Sequence, residues 1–180
     1  MRITILSPLF PPDVGAPAPY AKTLAEKLFA HTITLIVFIH LPEAVPNIKP
    51  ITIDKRWSKA RQLIKALQEL IKASRQTDII LVNNGLSTEL PVLICSYFIK
   101  TPILLCLSDN RAIEASTKGF YHFIHKRLCR RVTATISLPA AETEYLRLEK
   151  LPFTNTDNSL ITLQSVWWKN HIAEIISYAK

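Results

Sequence analysis

Runs of β-branched and apolar residues alternate with stretches of helical periodicity along almost the whole chain, and this alternation limits the fold more than any single motif does. Residues 2–7 (RITILS), 32–39 (TITLIVFI), 48–53, 78–82 (DIILV), 102–107 (PILLCL) and 133–138 read as strands. Residues 20–30, 58–74, 88–99, 113–131 and 140–150 repeat apolar side chains at intervals of three and four and read as helices, the fourth with a break expected at Gly119. On the second helix Ala60, Leu63, Ile64, Leu67, Leu70 and Ile71 are expected to face inward. Strands such as DIILV and PILLCL show no polar alternation. A strand with one wet face alternates, whereas a strand covered on both sides does not. The expected fold is therefore α/β: a single Rossmann-like, doubly wound parallel sheet of about six strands joined by right-handed crossovers.

The 180 residues suffice for one domain with a full core. Residues 1–150 are assigned to that domain, 151–164 to a linker with a short strand at 160–163, and 165–180 to a closing helix that packs back on the domain. Ser165 is the expected N-cap of this helix, and Trp168, Ile172, Ile175, Ile176 and Ala179 form its apolar stripe. The most apolar stretch, residues 90–107, is interrupted by Pro91, Lys100 and Pro102. It reads as a buried helix and a buried strand, because a membrane span needs about 20 uninterrupted apolar residues. Cys95, Cys106 and Cys129 are odd in number and form no CxxC pair, which suits reduced thiols in the cytoplasm.

Sheets of this kind bind ligands beyond the carboxyl ends of their strands. Four loops qualify: residues 8–19, which carry five Pro and one Gly, residues 83–87, residues 108–111, and the turn around Pro139. Asp109 can act as a base or hold a ligand hydroxyl, and Ser-Asp-Asn is equally an ordinary helix cap. Asn83 and Asn84 before Gly85 suit ligand contact or a turn. His122 and His125 stand three apart on one helix with no third ligand in view, so no metal is expected. The chain has no Walker loop, no GxGxxG and no Asp-x-Asp, and no cofactor is expected.

The formal charge of +8 points to an anionic partner. Arg61, Lys65, Lys72 and Arg75 fall on one stripe of the helix at 58–74, and Lys126, Arg127 and Arg130 surround Phe123 in a second basic segment. Cations interleaved with an aromatic suit an anionic membrane surface at the inner face, or else a solvated helix face. No nucleic-acid motif accompanies the charge, and no such partner is expected.

The opening RITILSPLFPPDVGAPAPYAKTLAEKL resembles the start of family-4 glycosyltransferases of the GT-B fold: a strand, a Pro-Pro-Asp-x-Gly-Gly loop, then a helix with a Leu-Ala-x-x-Leu core. TDIILVNN, TPILLCLSDN and TATISLPAAETEYL resemble, in order, that family's fourth, fifth and sixth strands with their turns, so the likeness runs from Met1 to about Lys150. It implies an acceptor-side domain whose substrate contacts fall at Gly15, Ala16, Tyr20, Asn83, Asn84, Ser108 and Asp109, with Asp109 as the candidate catalytic group. Several positions depart from the family pattern. Its Gly-Gly pair is Gly15-Ala16 followed by Pro17, its fourth- and fifth-strand His positions hold Asn83 and Ser108, and its sixth-strand Ser aligns with Pro139. The family's donor-domain marker, two Glu eight positions apart, is absent. The expectation is a glycosyltransferase-derived acceptor half that keeps the closing helix and is inactive alone. A donor-binding partner chain would then supply the nucleotide-sugar site for a lipid-linked or glycan acceptor. The alternative is a non-catalytic pseudoenzyme or interaction module that binds a glycan, a membrane or a protein.

Overall fold

The computed structural model describes residues 1–15, 17–137 and 158–179. Its strands are β1 (Arg2–Ser7), β2 (Thr32–Phe38), β3 (Ile51–Ile53), β4 (Ile79–Asn83), β5 (Ile103–Leu107) and β6 (Ala134–Ser137), and its helices are α1 (Pro17–Lys27), α2 (Lys59–Ser74), α3 (Leu86–Cys95), α4 (Asn110–Ala115), α5 (Gly119–Cys129) and α6 (Asn158–Ser177). The six strands form one parallel sheet in the order β3-β2-β1-β4-β5-β6. The chain thus steps outward from β1 to β3, returns to the centre at β4, and steps out the other way. The reversal falls between β1 and β4, which pair in register from Ile3↔Ile79 to Leu6↔Val82.

Both faces of the sheet are buried, which accounts for the missing polar alternation. On one face Ile3, Ile5, Leu35, Val37, Ile79, Leu81, Leu104, Cys106 and Ile136 join Tyr20 and Leu24 of α1, Leu28 just after it, and Trp168 and Ile175 of α6. On the other face Leu6, Ile36, Phe38, Ile80, Val82, Ile103 and Leu105 meet Ala66 and Leu70 of α2, Val92 and Leu93 of α3, and Ile124 and Leu128 of α5. The second face receives the crossovers into β4, β5 and β6. The β2–β3 connection contains no helix, so within residues 17–137 the first face has α1 alone. Helix α6 adds Trp168 and Ile175 to this face, and each aliphatic side chain it buries contributes roughly 1.5–3 kcal/mol.

Three expectations change. Residues 158–164, expected as linker and strand with a cap at Ser165, are the first turns of α6. No breaker lies between Asn158 and Ser177, so helical hydrogen bonding propagates back through the β-branched run. The buried stripe of α2 is Gln62, Ala66 and Leu70, while Ala60, Ile64 and Ile71 face solvent. The Gln62 amide turns the helix by donating to Lys55 O at 3.0 Å and Trp57 O at 2.7 Å, which ties it to the preceding loop. Strand β3 begins at Ile51 rather than residue 48, because Ile48 instead bridges back to Val45. The helix expected at 140–150 lies outside the described residues.

Candidate functional site at the strand carboxyl ends

The loops after β1, β4 and β5 meet where the strand order reverses, the position at which sheets of this order hold ligands. Asn83 and Asn84 assemble the floor. Asn83 Nδ2 donates to Ser7 Oγ at 3.1 Å, and Ser7 Oγ donates to Leu9 O at 2.6 Å. Asn84 Oδ1 accepts the backbone N–H groups of Ser108 and Asp109, both at 2.9 Å, and its Nδ2 donates to Asp109 O at 2.9 Å. Both asparagines are buried. They are bound to the protein's own groups, so they shape the crevice and hold its walls together.

Gly85 follows with φ of 151°, a conformation that L side chains rarely adopt. A Cβ there would lie 3.1 Å from Pro8 Cγ, so the β4 turn and the β1 loop touch. Thr88 closes the turn by donating to Asn83 O at 2.7 Å and Gly85 O at 2.8 Å. Gly15, in the β1–α1 loop, has φ of 153°, and a Cβ would come within 2.6 Å of Leu9 Cδ1.

Ser108 and Asp109 differ from the asparagines. The Ser108 hydroxyl is buried and has no hydrogen-bond partner among the described residues. Such an atom forfeits hydrogen bonds that a ligand or a water restores. Asp109 is partly exposed, and its Oδ1 accepts Arg111 N at 3.0 Å, capping α4. Ala16 and Pro139 lie outside the described residues. Tyr20 belongs to the core and not to the crevice: it is fully buried and its hydroxyl meets His171 Nε2 at 2.7 Å. Helical spacing explains this, since Tyr20, Leu24 and Leu28 share one stripe.

Sequence reasoning missed Glu89. This carboxylate in the first turn of α3 is fully buried. Its Oε1 accepts Gly85 N at 3.1 Å and Tyr121 Oη at 2.6 Å, and its Oε2 meets His125 Nδ1 at 2.8 Å. It therefore joins the β4 turn to α5. Burial, reinforced by the bond to Glu89, pushes the Tyr121 hydroxyl well above the usual phenol range. The two histidines diverge, for His122 Nδ1 faces Ser116 O at 2.9 Å while His125 faces Glu89. Among the described residues no group of three or more His, Cys, Asp or Glu side chains is placed to hold a metal.

The basic residues lie outside this crevice. Arg61 stacks over Trp57 at 4.3 Å, Lys65 pairs with Glu69 at 2.6 Å, Lys72 is exposed on α2, and Arg75 caps its C-terminus. On α5 Phe120 and Phe123 are exposed beside Lys126, Arg127 and Arg130, and Arg127 Nε donates to Tyr97 Oη at 2.7 Å. No helix among the described residues is long and apolar enough to cross a membrane.

The sequence matches no protein-family profile and no curated protein. Solved structures do match the fold. A protein of Listeria monocytogenes assigned to the UDP-N-acetylglucosamine 2-epimerases aligns with 84% of this chain and 43% of its own, at 15% identity and a TM-score of 0.51. A second UDP-N-acetylglucosamine 2-epimerase aligns with 84% of this chain and 46% of its own, at 14% identity and a TM-score of 0.53. The likeness is one of fold, a Rossmann-like α/β sheet, and the chain spans less than half the length of each neighbour.

Proposed function

We propose that this domain is the acceptor-side half of a GT-B-type sugar-transferring enzyme. A donor-binding domain, in the same polypeptide or in a partner chain, completes the cleft in which transfer occurs. The observation that carries this reading is the Ser108 hydroxyl, buried just beyond the carboxyl end of β5 with no hydrogen-bond partner among the described residues, at the end of the sheet where this strand order binds ligands. An acceptor hydroxyl supplies the missing partner. Asp109 stands next to it with Oδ1 committed to the α4 cap, which leaves Oδ2 to accept from that hydroxyl or take its proton. The Gly15-Ala16-Pro17 sequence offers few backbone N–H groups for a phosphate, which favours an acceptor here over a nucleotide.

Thermal unfolding tests the reading, because a ligand that binds only the folded state raises the midpoint by mass action. Glycan and lipid-linked acceptor analogues are expected to give a saturable rise that Ser108→Ala weakens, while UDP- and GDP-sugars give none. A saturable rise with a nucleotide sugar overturns the acceptor assignment. Silence toward every acceptor favours a non-catalytic interaction module.

The exposed aromatics favour a companion role at an anionic membrane. Phe98, Phe120 and Phe123 are 78%, 65% and 56% exposed, and Ile64 and Ile71 are exposed among Arg61, Lys65, Lys72 and Arg75. Apolar side chains among cations suit a lipid surface at the inner face. Salt-sensitive sedimentation with phosphatidylglycerol vesicles, lost in Phe123→Ala/Arg127→Ala, is the expected result; equal binding to neutral vesicles argues against it.

A further inference from the structure

A second set of chemistry-bearing side chains lies between α3 and α5. His125 Nδ1 stands 2.8 Å from Glu89 Oε2, and on the other edge of the same ring Nε2 stands 3.5 Å from Cys129 Sγ, one turn further along α5. The buried carboxylate can only accept, so it holds the ring proton on Nδ1. Nε2 is then left as an acceptor, and the thiol S–H is its donor. The order thiol, imidazole, carboxylate lets a base take the thiol proton as sulfur attacks, with the carboxylate steadying the imidazolium that forms.

Cys129 is exposed, whereas Cys95 and Cys106 are buried. Burial pushes those two thiols up to about 11 and about 12. The groups near the Cys129–His125 pair are Glu89 from α3, Tyr121 from α5 with its ring 6.1 Å from His125, and Thr135 from β6. Partial burial, and then the charge of Glu89, raise the Cys129 thiol above its ordinary range. The resting sulfur is therefore protonated and requires a base at the moment of attack. Lys126, Arg127, Arg130 and Arg131 flank it in sequence, which favours an electrophile bearing negative charge.

We propose that Cys129 is a nucleophilic modification site, served by His125 and Glu89, for disulfides of low-mass anionic thiols. The Cys129 S–H gives its proton to His125 Nε2, and its electron pair forms a bond to one sulfur of the disulfide. The disulfide's own S–S bond breaks, and the departing thiolate takes the proton back from the imidazolium and leaves as a thiol. Cys129 ends oxidised in a mixed disulfide, and the half of the attacked disulfide that departs ends reduced to a thiol.

The test uses the full chain with 5,5′-dithiobis(2-nitrobenzoate) at pH 7. One equivalent of thionitrobenzoate is expected in a fast phase mapped to the Cys129 peptide, with Cys95 and Cys106 reacting only after unfolding. His125→Gln is expected to slow the fast phase by about tenfold or more. Should that variant fail to fold, the pH profile of the unaltered protein decides. With the base acting, the rate levels off below pH 9. Without it, the logarithm of the rate climbs with unit slope past pH 9. An unchanged rate in folded His125→Gln, the unit slope, or fast labelling of a buried thiol overturns the proposal.

Discussion

The Tyr20 hydroxyl and the His171 imidazole meet at 2.7 Å across 151 positions of sequence, and both groups are buried. Trp167 stacks on His171 at 4.7 Å between ring centroids, and Trp168 on Tyr20 at 6.0 Å. One polar contact inside an aromatic cluster thus ties α6 to α1. Burial holds His171 down at about 4, from 6.5. Below 6.5 the unfolded chain takes a proton that the folded chain refuses. Stability is therefore full above 6.5 and falls as the pH drops from there to about 4, by roughly 3 kcal/mol. Urea midpoints measured at pH 7, 5.5 and 4.5 should show this slope, and His171→Phe should flatten it.

Asn84→Ala removes three side-chain hydrogen bonds and leaves the Ser108 and Asp109 N–H groups without their acceptor. The expected cost is roughly 2–3 kcal/mol in urea unfolding. Amide exchange at residues 108 and 109 should rise well beyond the average of the domain.

Ser108→Ala should behave in the opposite way. The hydroxyl has no partner among the described residues to lose, so stability is expected to change by less than about 0.5 kcal/mol or to increase. A loss of about 1 kcal/mol or more in chemical denaturation would mean that the hydroxyl already has a partner.

Gly85→Ala places a methyl group 3.1 Å from Pro8 Cγ in a backbone conformation that resists a side chain. A cost of roughly 2 kcal/mol is expected from the strain alone. Thermal unfolding measures it, and Gly119→Ala, where nothing lies within 4 Å of the new atom, is the control for positive φ without crowding.

Trp168→Ala empties the centre of the contact between α6 and the sheet, where Trp168 is 2% exposed. A loss of about 3–5 kcal/mol is expected. If α6 detaches, the variant should also bind the dye ANS under native conditions, since the first face of the sheet becomes accessible.

The sheet was legible because its signal is local: DIILV and PILLCL lack alternation, and the helices between such strands are amphipathic. The loops after β1, β4 and β5 were legible as strand ends, whereas their meeting depends on the strand order, which no local signal carries. Tyr20 was misplaced among ligand contacts although its i, i+4 relation to Leu24 already put it on the core stripe. The turn of α2 about its axis was hidden, because Gln62 is drawn inward by loop carbonyls that periodicity does not register. Glu89 was invisible for a different reason. Its partners Tyr121 and His125 are 32 and 36 positions away, and no spacing rule joins them.

The late position of α6 has a consequence for how the protein is made. When β6 leaves the ribosome, Ile79, Leu81, Leu104, Cys106 and Ile136 already belong to a sheet face on which, of the helices synthesised so far, only α1 packs. Translation of the further residues from Ser137 to Ser177 takes roughly 2–8 s at ordinary speeds. For those seconds the nascent chain carries an apolar surface that α1 covers only in part, and such a surface is open to association with other chains.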